Sequence, residues 1–170
     1  MNDDNNFRED IRNYLNQLQD VIKRMADNSK SCKQYCITIF SGYLALLGVI
    51  FEKNDLNISL YVNIGMLLII IAFMCLDALY LKFERLFRNI FNSYVKIFRE
   101  NANSNILKER IYDFNIKSEY AIGKNTNFSE ILFSISVLPL YIPQITLIIL
   151  QLLIQYDIFN MLDYILNIFN

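Results

Sequence analysis

Gly65-Met-Leu-Leu-Ile-Ile-Ile-Ala-Phe-Met-Cys-Leu76 decides the fold class. The stretch has no charge and no polar stripe, whereas a helix buried in a soluble domain normally keeps one face polar. It lies inside the uncharged run Ile58–Leu76, and two further runs, Cys36–Phe51 and Ile131–Gln155, also lack charge. A hydrocarbon core of ~30 Å needs roughly 20 mostly apolar helical residues, with a lower limit of about 17. The second and third runs meet this directly, and the first does once Gln34 and Tyr35 enter the interface. The expectation is an all-α integral membrane protein with three transmembrane helices. An unusually apolar soluble bundle is the competing reading, and the run lengths weigh against it.

Outward from that stretch the chain divides into 1–34, a cytoplasmic amphipathic helix; 35–81, a transmembrane hairpin; 82–127, a cytoplasmic helical extension and loop; and 128–170, a third transmembrane helix with an interfacial C-terminal segment. In the first part Ile11, Tyr14, Leu15, Leu18, Val21, Ile22 and Met25 form a heptad-like stripe, and the other faces mix acids and bases. A break is expected at Asn28-Ser29. The second span continues without Gly or Pro through Lys82–Arg99, where Phe83, Leu86, Phe87, Ile90, Phe91, Tyr94, Val95 and Phe98 hold a helical stripe. A helix over 59–100 is roughly 60 Å long, about twice the hydrocarbon core. Its second half therefore projects into the cytoplasm, where its stripe is the natural partner of the N-terminal one. Residues 101–127 are turn-rich, with a short helix expected near Leu107–Asp113. Ser129 and Glu130 are the expected caps of the third span. Pro139 and Pro143, both prolines of the chain, predict a kink there, with a re-entrant segment as the alternative. The segment Ile158–Asn170 is expected at the membrane interface.

Basic residues set the expected orientation. Arg8, Arg12, Lys23, Arg24, Lys30 and Lys33 precede the first run, only Lys53 separates the first two, nine lie between the second and third, and none follows. Lys and Arg accumulate on the cytoplasmic side, so the expectation is a multi-pass membrane protein, N-terminus in and C-terminus out. Two spans plus a peripheral helix fit the first three segments equally well. The first thirty residues carry Asp3, Asp4, Glu9 and Asp10 where a cleavable signal is basic, so the first span is read as an uncleaved anchor.

The composition excludes more chemistry than it offers. There is no histidine, and three cysteines, Cys32, Cys36 and Cys75, do not make a four-ligand zinc site. With four glycines and no nucleophile–base set, no enzyme, metal or cofactor site is expected, and the mixed charge of the polar segments gives no nucleic-acid footprint. The densest constellation is Leu76-Asp-Ala-Leu-Tyr-Leu-Lys-Phe-Glu-Arg-Leu-Phe-Arg88. Asp77, Tyr80, Glu84, Arg85 and Arg88 are candidates for function or gating, because an ionisable group at the end of a span is costly unless paired or watered. The plainer reading has Asp77 solvated at the rim or paired with Lys30 or Lys33, and Glu84–Arg88 as a surface pair. Ser41, Gly42, Ala45 and Gly48 are candidates for close helix packing. Asn63, Gln144 and Gln151 either line a pore or bond between helices.

The stretches Leu18–Ser29 and Leu76–Arg88, with the hairpin between them, resemble the SLATT class of small bacterial membrane proteins over about residues 10–100. The third apolar run departs from that class's two-span layout. The resemblance implies a membrane effector of a bacterial antiphage system, one that oligomerises in the inner membrane and permeabilises it when triggered. The implied partners are membrane lipid, further copies of the chain, and a cytoplasmic sensor docking on 7–27 and 82–100. A non-enzymatic membrane anchor and a small constitutive channel or transporter are the alternatives.

Overall fold

The computed structural model describes residues 2–52, 56–99 and 126–169, with side chains over 6–50, 59–99 and 126–156. Every regular element among them is an α-helix: α1 (Asn2–Glu52), α2 (Leu56–Arg99), α3 (Phe128–Leu132) and α4 (Leu138–Phe169). At 1.5 Å per residue, α1 with its 51 residues is about 76 Å long and α2 with 44 is about 66 Å. No proline interrupts either helix. The expected break at Asn28-Ser29 does not occur. Neither residue is a strong helix breaker, and Ser29 turns its side chain inward instead of capping a new helix. The expected continuation of the second apolar helix through Arg99 is found. Among the described residues, three helices are long and apolar enough to cross a membrane, at Asn6–Ile50, Ser59–Arg99 and Leu138–Tyr156.

The chain forms two compact units, one from Met1–Lys30 with Asp77–Ser134 and the other from Ser31–Leu76 with Ile135–Asn170. In the first, the two sequence stripes meet: Ile11, Tyr14 and Leu18 of α1 bury against Leu86, Ile90 and Tyr94 of α2. Phe7, Leu15, Phe83, Phe87, Phe91 and Ile97 flank them. Tyr14 and Tyr94 touch edge to face, ring centroids 4.9 Å apart, an arrangement that adds to simple burial. Val95 and Phe98, read as part of the stripe, are exposed, and Ile97 packs instead.

The second unit is built from the remaining halves of α1 and α2 and from α4. Its interior takes Cys36, Phe40, Tyr43, Leu47 and Ile50 of α1, Met66 and Ile70 of α2, and Tyr141 and Ile148 of α4. The positions 36, 40, 43, 47 and 50 alternate steps of four and three, the spacing of a helix-packing seam.

The third apolar run is broken ahead of its prolines. Asn127, not Ser129, is the N-cap of α3, and its Nδ2 donates to Glu130 Oε1 at 2.8 Å. A turn over 133–137 separates α3 from α4. Pro139 then falls in the first turn of α4, where its missing N–H has no intrahelical partner to lose. Pro143 lies inside the helix and leaves the carbonyl four residues back without its usual donor. The short helix expected at Leu107–Asp113 and the side chains of Ile158–Asn170 lie outside the described residues; the backbone of α4 is helical to Phe169.

Candidate functional site

Within the second unit, side-chain polar groups of three helices meet in a seam. Tyr43 Oη on α1 lies 2.7 Å from Asn63 Oδ1 on α2 and 3.0 Å from Gln151 Oε1 on α4. Asn63 Nδ2 donates to Gln155 Oε1 at 3.1 Å, and Gln155 Nε2 donates to Ser59 Oγ. Farther along, Cys36 Sγ donates to Gln144 Oε1 at 3.2 Å. Asn63, Cys36 and Ser59 are at most 1% exposed. Beside the seam, Tyr141 Oη sits 3.5 Å from the carbonyl of Phe73.

Proton counting adds a constraint. A hydroxyl carries one proton, so Tyr43 donates to only one of its two neighbours, and Asn63 is the nearer. Gln151 Nε2 is meanwhile buried without a hydrogen-bond partner. Turning the carboxamide of Gln151 over would let its nitrogen donate to the Tyr43 oxygen, but its own oxygen would then take the place without a partner. Donors would run in one direction from Gln151 through Tyr43, Asn63 and Gln155 to Ser59, the arrangement in which hydrogen bonds reinforce one another. In either orientation one buried end of this side chain lacks a partner, at a cost of about 1–3 kcal/mol.

The outward face is handled differently. Thr38, Ser41 and Thr146 are exposed, and each hydroxyl donates to the carbonyl four residues back, Gln34, Ile37 and Ile142, at 3.0, 2.9 and 2.8 Å. Such back-bonding satisfies a hydroxyl without water. Around them the surface is aliphatic, with Leu44, Leu46, Leu68, Ile71, Leu147, Leu150 and Leu153 all exposed.

The small residues proposed for close packing are on this outward face. Ser41, Gly42, Ala45 and Gly48 are all exposed, and a methyl group built on Gly42 or Gly48 meets nothing within 4 Å. Packing between helices of this unit falls to the larger residues on the opposite side of α1, because the polar groups that need partners lie there.

In the first unit, Asp77 is 0% exposed and accepts a 2.5 Å hydrogen bond from Ser29 Oγ, itself 3% exposed. Asp77 is thus covered rather than solvated, on the inner side of α2 next to buried Ala78. Glu84 and Arg88 form the expected pair at 2.5 Å, one turn apart, with Arg88 exposed and Glu84 largely covered. Such a pair is worth about 0.3–0.5 kcal/mol. Tyr80 and Arg85 are half-buried on the same helix.

Asn63, Gln144 and Gln151 are readable from sequence as polar residues in apolar runs. Cys36, Tyr43, Ser59 and Gln155 are the members that reading misses. The available signal was spacing: Ser59 and Asn63 are one turn apart, and Gln144, Gln151 and Gln155 follow at steps of seven and four, which places each set on one helix face. Among the described residues no group of three or more His, Cys, Asp or Glu is placed to hold a metal ion.

Among the described residues the protein is all-helical, with three helices long and apolar enough to cross a membrane, and in the second unit polar side chains turn inward and aliphatic ones outward. No family model matches the sequence, and no curated protein or solved structure matches it either.

Proposed function

We propose that this chain is a non-enzymatic membrane effector of a bacterial antiphage system, resident in the inner membrane with its N-terminus in the cytoplasm. When triggered, it assembles with further copies and permeabilises the bilayer. The observation that supports this most is the inverted second unit, where neutral carboxamides and hydroxyls are held inside three apolar helices. Polar groups kept within a membrane bundle are costly, and are kept there for a use. In the closed bundle most of them are bonded to one another across the helices, which suits a resting form. The resemblance over residues 10–100 supplies the biological setting.

The test is induced expression in bacteria carrying a membrane-potential dye, with and without phage challenge. Depolarisation within minutes of induction or infection is the expected result; cells that keep their potential under both conditions would sink the proposal. A second reading, an anchor for a cytoplasmic partner, is favoured by the exposed polar face of α1, where Arg8, Glu9, Arg12, Asn13 and Asn16 are all solvent-accessible. Under that reading the segments 7–27 and 82–100 capture a partner and the potential never changes.

A further inference from the structure

We infer that α4 is a built-in cover for a polar face of the α1–α2 hairpin, and that a second copy of this chain takes its place when α4 is displaced. The inference rests on the oligomer-forming reading above and names its control element.

Within the seam, each polar side chain of the hairpin lies against a glutamine of α4. Cys36 meets Gln144, Tyr43 meets Gln151, and both Ser59 and Asn63 meet Gln155. The hairpin's own contact is Tyr43 with Asn63. From Gln144 to Gln155 the three glutamines are 11 steps apart on one face of α4, about 16 Å of helix. Lifting α4 away therefore strips Cys36, Ser59 and the Asn63 amide of their partners at once. In hydrocarbon these groups have no water to turn to, and side-chain amides draw membrane helices together.

The chemistry of the seam selects the occupant. None of the seam's side chains is charged, so an ionic ligand or a phospholipid headgroup finds no counter-charge there. A carboxamide is both donor and acceptor, and its match is another carboxamide. A second copy presents Asn63, Ser59 and Tyr43 in the same geometry, or its own glutamine face. The closed form also leaves one buried end of Gln151 without a partner, so α4 does not hold the hairpin with every bond it has.

The test uses the full-length chain, labelled and reconstituted at high dilution into vesicles of phosphatidylethanolamine and phosphatidylglycerol, with subunits counted by single-molecule photobleaching. The wild type is expected as monomer. Combining Gln144→Leu, Gln151→Leu and Gln155→Leu is expected to raise the associated fraction at least tenfold. Adding Asn63→Leu, Ser59→Ala and Tyr43→Phe removes the hairpin's side of the seam and is expected to restore the monomer. Gln151→Leu alone is the milder variant should the triple change fail to insert, with a smaller shift in the same direction. The inference is overturned if the glutamine variants stay monomeric, if the wild type is equally associated, or if association survives loss of the hairpin's polar groups. Dye leakage from the same vesicles is read separately. Association without leakage leaves α4 as the cover and removes the permeabilising function, whereas leakage from monomers removes the cover.

Discussion

The two units solve opposite problems with the same pair of long helices. In the first, Ile11, Tyr14, Leu18, Leu86, Ile90 and Tyr94 are buried while the charged residues of α1 face outward, the pattern of a water-soluble helical pair. In the second, Asn63, Ser59, Gln144 and Gln155 are buried and a broad aliphatic surface faces outward. The difference teaches where each part draws its stability. On the proposed membrane placement, the first unit gains from removing apolar surface from water. Helices that stay in lipid gain nothing that way, because lipid tails are as apolar as leucine, and they depend on packing and interhelical hydrogen bonds.

That contrast can be broken most forcefully in the first unit. Leu18→Ala or Ile90→Ala deletes a fully buried side chain, and each is expected to destabilise by about 2–5 kcal/mol in chemical unfolding of the micelle-solubilised protein. A loss below about 1 kcal/mol would show that the pair does not fold as a conventional core. Asp77→Leu removes the acceptor for buried Ser29 and is expected to cost about 1–3 kcal/mol, with Asp77→Asn costing less because it keeps an oxygen acceptor. Equal losses for the two would show that the hydrogen bond is immaterial.

Asn63→Leu sharpens the comparison from the other side. It takes partners from both Tyr43 and Gln155, yet interhelical hydrogen bonds in membranes are worth only about 0.6–2 kcal/mol. Its cost, by the same unfolding measurement, should fall below that of Leu18→Ala. A larger cost would mean that the seam, not the apolar contacts, holds the second unit together. Gly42→Ala is the smallest change. The added methyl meets nothing, so the monomer should hold its stability or gain up to about 1 kcal/mol from helix propensity.

The apolar runs and both helical stripes were legible because their signal is periodic and local. Ile11, Tyr14 and Leu18 pair with Leu86, Ile90 and Tyr94 as the patterns require. The seam was only half legible. Asn63 stands out in an apolar run, whereas Tyr43 reads as one more aromatic and Gln155 as the end of a run. Their meeting depends on how α4 is rotated against the hairpin, which no single helix encodes. The small residues are not used for packing within the second unit, for a related reason. Ser41, Gly42, Ala45 and Gly48 permit close approach but do not compel it, and the groups that needed partners lay on the other side of α1. Ser29 as the partner of Asp77 was hidden by 48 residues of intervening chain.

Cys36 gives the second unit a wetness gauge of its own. Its sulfur is fully buried against Gln144, and only the thiolate form of a cysteine attacks a maleimide, a form that needs water beside it. The alkylation rate of that one peptide, followed by mass spectrometry in intact vesicles, therefore clocks how often water enters between the helices, with no engineered reporter and no assumption about what passes through.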